Sequence, residues 1–314
     1  MLRKIALEEH FLSPGLIEYW TPGVAALDRT AADILFRRLT DFGDSRLETM
    51  ARSGIERAVL SVGGPGVSRE PVVATAIRKA SEANDFLARE IRKRPQEFLG
   101  FAHLPLQDPT AAAAELERCM RELEFCGAFV HGAADRLYFD EPGFEPFWER
   151  AAALNAVVYL NRTSAGSASP ATHGFHELEH WDDSFENSSQ VLRLVYGGVF
   201  DHHPGVRVVV GGLGGPLPYM LAAFDAHAAR ARSGLARMPS DYFRDNIFVT
   251  TSRLLAAAPL YCAVTALGPA QVMFATGYPF ESCDDAAHFL DVVRLDEGLR
   301  ADIAFRNAER VLGL

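Results

Sequence analysis

The sequence predicts a (β/α)8 barrel, and three observations support this fold class. Apolar strand-like runs alternate with helical stretches, which is the pattern of a parallel sheet with crossover helices. Eight such strands in 314 residues fit a barrel with insertions better than an open doubly wound sheet. The GxGxxG signature that follows the first strand of many open sheets is also absent.

The predicted elements cover the chain from end to end without an internal repeat or linker. The strands are residues 4–7, 57–61, 98–103, 127–130, 157–160, 207–210, 247–250 and 272–276. Helical stretches include residues 71–94, 109–123, 145–154 and 284–290. We therefore expect one barrel domain over residues 1–314. The segment 163–184, rich in Ser, Ala, Gly and His, is expected to form a lid loop over the barrel mouth.

Composition limits the classes of partner. Apolar residues make up 48% of the chain, enough for a full core, and the net charge of −10 gives no electrostatic footprint for nucleic acid or an anionic membrane. We expect a small-molecule substrate and a homodimer or larger homo-oligomer. No apolar run approaches the roughly 20 residues of a membrane span, and no signal-peptide pattern opens the chain, so a cytoplasmic location is expected. The four cysteines form no CxxC pair and are expected to be free thiols.

A carboxylate and an imidazole lie two residues apart where the first predicted strand ends. The segment reads Glu8-Glu9-His10-Phe11. Because side chains alternate along a strand, Glu8 and His10 are expected to project in the same direction. This arrangement is typical of the first strand of a metal hydrolase.

Several further motifs closely resemble the amidohydrolase-2 family, whose barrel enzymes include decarboxylases of hydroxylated benzoates such as γ-resorcylate. The matching segments include ALEEHF at residues 6–11, FAHLPLQDP at 101–109, NIFVTTS at 246–252 and ATGYPFE at 275–281. The resemblance runs nearly end to end. It implies an amidohydrolase-like barrel with an active site at its mouth and a lyase-type activity.

The resemblance also implies metal ligands, but the chain keeps only part of that set. Glu8 and His10 match the ligands on strand one. The ligand or acid–base positions on strands five, six and eight correspond to Asn161, Gly212 and Gly277. Zinc and manganese sites need about three or more protein ligands, and an amide oxygen is a poor zinc ligand. We therefore expect no cofactor and no metal-ligating residues, with zinc or manganese as a weak alternative.

Two histidines lie at predicted C-terminal strand ends, where barrel residues face the active site. They are His103 on strand three and His131 after strand four. One hypothesis is a catalytic set in which His10, oriented by Glu8, exchanges protons together with His131 near neutral pH. Structural histidines bonded to the backbone are an alternative. A new metal site from the same four side chains is another.

Other side chains at the rim are candidates for substrate binding. They are His103, Asn161, Arg162, Thr251, Arg253 and Phe280. An arginine there could bind a substrate carboxylate or phenolate as a bidentate partner, whereas the alternative is that these residues cap loops. The 3-and-4 spacing of His173, His176 and His180 would place them on one helical face, as metal ligands or as an exposed stripe.

Three functions are compatible with these residues. The favoured hypothesis is a metal-independent lyase or cyclase that acts by proton transfer on a phenolic or polyketide-like carbonyl substrate. The second is a metal-dependent decarboxylase or hydrolase with substitute ligands, and the third is a non-catalytic relative that binds a small molecule. The residues are compatible with decarboxylation, cyclisation, dehydration or aldol-type chemistry.

Overall fold

The computed structural model describes residues 2–24, 27–131, 138–161, 179–231 and 234–314. This part of the chain contains eight strands: β1 Lys4–Phe11, β2 Ile55–Val62, β3 Phe98–Gly100, β4 Gly127–His131, β5 Val157–Asn161, β6 Arg207–Val210, β7 Ile247–Thr250 and β8 Val272–Met273. Neighbouring strands pair in chain order in two sheets, β1 to β3 and β4 to β8, and all these pairs are parallel.

Backbone hydrogen bonds join the two sheets into one closed barrel. Between β3 and β4, the Ala102 amide donates to the Gly127 carbonyl at 2.8 Å. Between β8 and β1, the Leu7 amide donates to the Phe274 carbonyl at 3.2 Å. Closure leaves no free sheet edge, and the predicted (β/α)8 barrel is confirmed.

Helices surround the barrel. They are α1 Ile17–Val24, α2 Arg29–Thr40, α3 Asp44–Ser53, α4 Val73–Lys93, α5 Pro109–Glu122, α6 Glu145–Ala153, α7 Glu179–Tyr196, α8 Val199–His202, α9 Leu217–Ala231, α10 Pro239–Asn246, α11 Ala257–Leu267, α12 Cys283–Val292, α13 Glu297–Ala301 and α14 Asn307–Leu312. Helix α5 shows why the sequence sets such boundaries: Asp108 caps the amides of Thr110 and Ala111, and Pro109 fills the first turn. Among the described residues, no helix is long and apolar enough to cross a membrane.

The core has an inner and an outer part. Side chains such as Phe101, Phe129 and Tyr159 fill the barrel interior, and a larger apolar cluster lies between the strands and the helices. The inner side chains lie directly below the rim residues, because residues two apart on a strand face the same side of the sheet.

Candidate active site

Strand β1 carries the first two site residues, and a β-bulge sets their direction. Its pairing with β2 contains one extra residue between Ala6 and Glu9. Leu7 packs in the barrel interior, and Glu8, directly after it, also reaches inward to Tyr159. Bulges commonly re-aim side chains next to active sites. The strand continues to Phe11, beyond its predicted end at residue 7, so Glu8 and His10 lie within it.

Glu8 lies at the centre of a buried polar network. Its carboxylate accepts hydrogen bonds from the Tyr159 hydroxyl and from Asn161 Nδ2, the latter at 3.2 Å. His10 Nε2 and Arg253 Nη2 each lie 3.7 Å from Glu8 Oε1. Burial opposes ionisation of Glu8, but the adjacent His10 imidazole and the charge of Arg253 outweigh it and lower its pKa to about 2. Glu8 is therefore an anion at neutral pH.

The His10 imidazole is held on several sides. Its Nδ1 lies 3.1 Å from Ser61 Oγ, and the rings of Phe129 and Phe280 lie edge-on to it, each with a centroid distance of 5.4 Å. Burial lowers the pKa of His10, while the nearby Glu8 carboxylate favours the charged form. The ring therefore has a fixed orientation and a carboxylate positioned to stabilise it when it gains a proton.

The outer side of β1 fixes the His10 backbone. The His10 carbonyl accepts a hydrogen bond from the buried Arg46 guanidinium at 2.7 Å, and its amide donates to the Tyr278 carbonyl at 2.7 Å. Glu9 points away from the barrel interior and accepts hydrogen bonds from the amide and hydroxyl of Thr276. Burial is the largest influence on Glu9 and raises its pKa to about 7.

A cavity of about 160 Å³ opens beside Glu8 at the barrel mouth. Residues that line it include Glu8, Asn161, Asp183, Gly211, Gly212 and Arg253. A Cβ at Gly211 would lie 3.0 Å from Glu8 Oε2 and 2.9 Å from Ser252 Oγ, so this glycine leaves room for the Glu8 network. Gly212 has a φ of +60°, which favours glycine, and faces open space.

His131 reaches across the mouth and offers an unpaired nitrogen. Its Nε2 lies 2.9 Å from the Val62 carbonyl, which only accepts, so Nε2 carries the proton. Its Nδ1 is buried and has no hydrogen-bond partner among the residues that the structure describes. Burial lowers the pKa of His131 to about 4, so the imidazole is neutral at pH 7 and Nδ1 is an acceptor. This differs from the predicted titration near neutral pH, because burial penalises the imidazolium.

His103 lies beside His131, with 5.8 Å between ring centroids, but it is tied to the backbone. Its Nε2 accepts a hydrogen bond from the Val67 amide at 2.9 Å, and Asn84 bonds both its amide and its carbonyl. Burial lowers the pKa of His103 to about 3. These contacts match the structural alternative more closely than substrate binding, because Nε2 is already engaged.

Gly66 provides a direct check on how tightly His103 is enclosed. This glycine has a φ of +53°, and a Cβ built on it would lie 2.3 Å from His103 Nε2. Gly66→Ala should therefore lower the free energy of unfolding by more than about 1 kcal/mol, as measured by urea denaturation. Gly205→Ala is the matched control, because nothing lies within 4 Å of its added Cβ. Equal stability of the two variants would contradict the enclosure of His103.

The remaining predicted site residues divide into three groups. Thr251 Oγ donates to the Ala275 carbonyl and accepts from the Ala275 amide, so it links β7 to the chain after β8. Phe280 stacks on Trp20 with 5.6 Å between the ring centroids, is 43% exposed and packs against His10. Arg162, His173, His176 and most of the segment 163–184 lie outside the described residues, as does the His180 side chain.

The structure adds site residues that the sequence reading missed. Tyr159 donates to Glu8 and shares a 2.8 Å hydrogen bond with Thr250, whose hydroxyl lies 3.1 Å from that of Ser252. The two-residue period of β5 could have indicated Tyr159, because it lies one step below Asn161 on the same face. Ser61 and Trp20 had no comparable signal, since their contacts come from distant parts of the chain.

Comparisons with known proteins agree with this fold and site. The chain is 38% identical to a γ-resorcylate decarboxylase of Rhodococcus jostii, over 100% of this chain and 99% of the relative. Two solved structures of dihydroxybenzoate decarboxylases are similarly close. One, complexed with 2,6-dihydroxybenzoate, is 35% identical with a TM-score of 0.93 and full coverage of both chains. The other, from Polaromonas sp. JS666, is 34% identical with a TM-score of 0.92 and covers 100% of this chain and 98% of its own.

The Polaromonas structure contains bound manganese and the inhibitor 2-nitroresorcinol. Structures of 5-carboxyvanillate decarboxylase from Novosphingobium aromaticivorans, 27% identical to this chain, also contain manganese. The prediction of a site without a cofactor is therefore wrong, and the manganese of these relatives points to a metal. Substitution of ligand positions in one chain does not by itself exclude the metal that similar proteins bind.

The described residues nevertheless do not complete a metal site by themselves. They contain no group of three or more His, Cys, Asp and Glu side chains that could hold an ion. Glu8 and His10 supply two donors, Asn161 supplies at most an amide oxygen, and the Arg253 guanidinium already lies beside Glu8. A metal at this position would need further donors.

The family itself follows from the extent of these matches. Residues 20–314 match the amidohydrolase-2 family, described as Amidohydrolase. Relatives more than 30% identical align over the whole chain, and their solved structures share its barrel. The chain therefore belongs to the amidohydrolase-2 family.

Proposed function

We propose that this protein is a decarboxylase of a phenolic acid related to dihydroxybenzoate. One observation carries the proposal: Glu8 and Arg253 line a cavity in the barrel mouth, and His10 lies next to Glu8 with the ring of Phe280 against it. This combination offers a proton carrier, a cation and an aromatic surface to an aromatic acid. The named activity of the relatives reported above supports the same chemistry.

Decarboxylation requires a proton at the ring carbon that loses the carboxyl group. When that carbon–carbon bond breaks, its electron pair stays with the ring, CO2 leaves and the proton takes the vacated position. In this proposal His10 Nε2 delivers the proton, and the Glu8 anion, 3.7 Å away, stabilises the imidazolium that precedes transfer. Glu8 thus acts through His10.

Arg253 and His131 are proposed to orient the substrate. The Arg253 guanidinium suits a carboxylate or phenolate, because it presents paired donors. His131 Nδ1, which lacks a partner within the described part of the chain, suits a ring hydroxyl, because a buried acceptor gains a hydrogen bond when a donor arrives. Asn161 holds Glu8 and borders the cavity, and Phe280 packs against the aromatic ring. Arg162 keeps its predicted role in substrate binding.

A divalent metal is the cofactor that the manganese-bound relatives favour. Within the proposed decarboxylase function, the metal-dependent alternative therefore replaces the metal-independent one. Of the family ligand positions that this chain retains, Glu8 would hold the ion, because His10 Nε2 carries the proton in this proposal and cannot bind a metal at the same time. The relatives reported above lend no support to a cyclase or to a non-catalytic binding protein.

The extent of the domain and the oligomeric state are two further proposals. We infer a single barrel domain over residues 1–314 with a lid around residues 163–184, supported by full-length alignment with the relatives. A homodimer or larger homo-oligomer is proposed as well. Measurement of the molar mass in solution by light scattering tests it, and a monomer at micromolar concentration would contradict it.

A decarboxylation assay tests the proposed function. With excess Mn²⁺, the protein should release CO2 from 2,6-dihydroxybenzoate or a related hydroxybenzoate and leave the corresponding phenol, detected by chromatography. Benzoate is the control, because it has no hydroxyl to pair with His131 and should release no CO2. Absence of turnover across a panel of mono- and dihydroxybenzoates, with the protein shown to be folded, would contradict the proposal.

A further inference from the structure

The turn after β6 leaves space in the active-site cavity at one position. Four glycines of this turn line the cavity, namely Gly211, Gly212, Gly214 and Gly215. Among the described residues, only the Ser252 carbonyl oxygen would lie within 4 Å of a Cβ on Gly212, at 3.9 Å. A Cβ on Gly214, in contrast, would lie 2.9 Å from Val249 Cγ1. Packing therefore explains the glycine at 214 but not the glycine at 212.

The backbone conformation does not require glycine at 212 either. Gly212 has a φ of +60°, and the next residue, Leu213, has a φ of +54°. Leu213 shows that this turn accommodates a side chain in the left-handed region. The missing side chain at 212 instead leaves room in the cavity of about 160 Å³. Because one water molecule occupies about 30 Å³ in the liquid, the cavity can hold a group of roughly three to five carbon atoms.

The lining of the cavity suits an uncharged group. Its border includes Leu160, Val210, Leu254 and the glycine backbone. Arg253 also borders it, but the guanidinium lies 3.7 Å from Glu8 Oε1 and 3.5 Å from Asp183 Oδ2. An anionic group would therefore meet two carboxylates beside one cation. A charged group of either sign would also lose its hydration in a mainly apolar space, which costs free energy.

The positions of Arg253 and His131 indicate which part of a substrate reaches this cavity. In the proposed function Arg253 pairs with the carboxylate and His131 Nδ1 with a ring hydroxyl. His131 ends β4, whereas Arg253 follows β7 and Gly212 follows β6. Two ring positions flank the carbon that bears the carboxyl group. If one carries the hydroxyl toward β4, the other faces β6 and the cavity.

Resting on the decarboxylase function above, we propose that the cavity beside Gly212 binds an alkyl substituent larger than a methyl group. The substrate is then a 2-hydroxybenzoate that carries a chain of about three to five carbon atoms at position 6. The chain contacts the glycine turn and its apolar neighbours. Glu8, His10 and Arg253 keep the roles that the proposed reaction gives them.

Substitution of Gly212 should fill the space in two steps. Gly212→Ala adds one methyl group. Gly212→Asn adds a larger side chain, and asparagine adopts the left-handed region more readily than most L-residues do. Gly234→Asn is the matched control, because Gly234 has a φ of +79°, is exposed and does not line the cavity.

Steady-state kinetics with excess Mn²⁺ test the inference, with CO2 release as the signal. The native protein should show a kcat/KM at least about tenfold higher for 2-hydroxy-6-propylbenzoate than for 2-hydroxybenzoate, because the propyl group is removed from water. The isomer 2-hydroxy-4-propylbenzoate has the same atoms in another direction and should stay within about threefold of 2-hydroxybenzoate. The ratio for the 6-propyl compound should fall in Gly212→Ala and fall further, to about threefold or less, in Gly212→Asn. Gly234→Asn should keep the native ratio.

Binding of the decarboxylated product gives a readout that needs no turnover. Calorimetry should show that native protein binds 3-propylphenol at least about tenfold more tightly than phenol, and that Gly212→Asn loses this preference. Turnover of 2-hydroxybenzoate without a preference for the 6-propyl compound would overturn this inference alone, as would equal ratios in Gly212→Asn and the native protein. If no hydroxybenzoate releases CO2, the decarboxylase proposal fails, and the calorimetric comparison still decides whether the cavity binds an alkyl chain.

Discussion

Replacement of His10 by alanine should lower kcat by about 10²- to 10⁴-fold, the usual contribution of a positioned acid–base group. The imidazole lies between Ser61, Glu8 and two aromatic rings, and its backbone is held by Arg46 and Tyr278. Glu8 cannot take over its proton, because Glu8 has a pKa of about 2 and stays ionised. Turnover of a hydroxybenzoate under saturating Mn²⁺ measures the effect.

His202→Ala is the matched control for this prediction, because His202 is exposed on α8 and distant from the mouth in the barrel order. It should retain native kcat. Glu8→Gln should also lower kcat, because it keeps the shape of Glu8 and removes the charge that stabilises an imidazolium. Full activity of His10→Ala with unchanged KM would exclude proton transfer by His10.

Acid should destabilise the protein well before its ordinary carboxylates titrate. Burial lowers the pKa of His131 to about 4 and that of His103 to about 3, against an ordinary value of 6.5. Below pH 6.5 the unfolded chain therefore binds two protons that the folded chain does not. Stability falls as pH decreases from 6.5 toward 4, because the unfolded state gains those protons.

Glu9 acts in the opposite direction over part of this range. Its pKa is raised from 4.5 to about 7 by burial, so the folded state holds a proton there that the unfolded state releases above pH 4.5. For His131, His103 and Glu9 together the net difference is about one proton, which corresponds to a loss of roughly 1–2 kcal/mol between pH 6.5 and pH 5. The lowered pKa of His10 acts in the same direction as those of His131 and His103. Urea denaturation at the two pH values measures it.

His131→Asn separates the histidine contribution from that of other groups. Asparagine does not titrate, so the variant should lose less stability between pH 6.5 and pH 5 than the native protein does. Identical pH dependence in the two proteins would show that His131 does not hold a depressed pKa. His202→Ala again serves as the control, since no comparable burial surrounds His202.

The sequence was sufficient for the barrel and for the location of its mouth. The apolar runs at β4 to β7 are local signals, and parallel strands bring their C-terminal ends together whatever the loops contain. The approach of Arg253 to Glu8 was not predictable in the same way. It depends on closure of β8 against β1 and on a backbone conformation that no residue pattern around Arg253 indicates.

The protonation of the histidines was not predictable from sequence either. His131 and His103 have the residue type and position of acid–base groups, but their pKa values depend on burial and on contacts with Val62 and Val67. Those contacts join segments far apart in the chain. The residue pattern places the two side chains at the rim but does not determine their charge.

The bulge in β1 gives two adjacent glutamates, Glu8 and Glu9, opposite protonation states. The extra residue in the pairing of β1 with β2 lets Glu8 point into the barrel, beside the Arg253 guanidinium, while Glu9 points toward the surrounding helices. At pH 6 Glu8 is ionised and Glu9 is protonated, although they are neighbours in the chain. Because both residues are glutamates, their different protonation comes from the two environments and not from the residue type. The register of one strand therefore determines the charge state of the site.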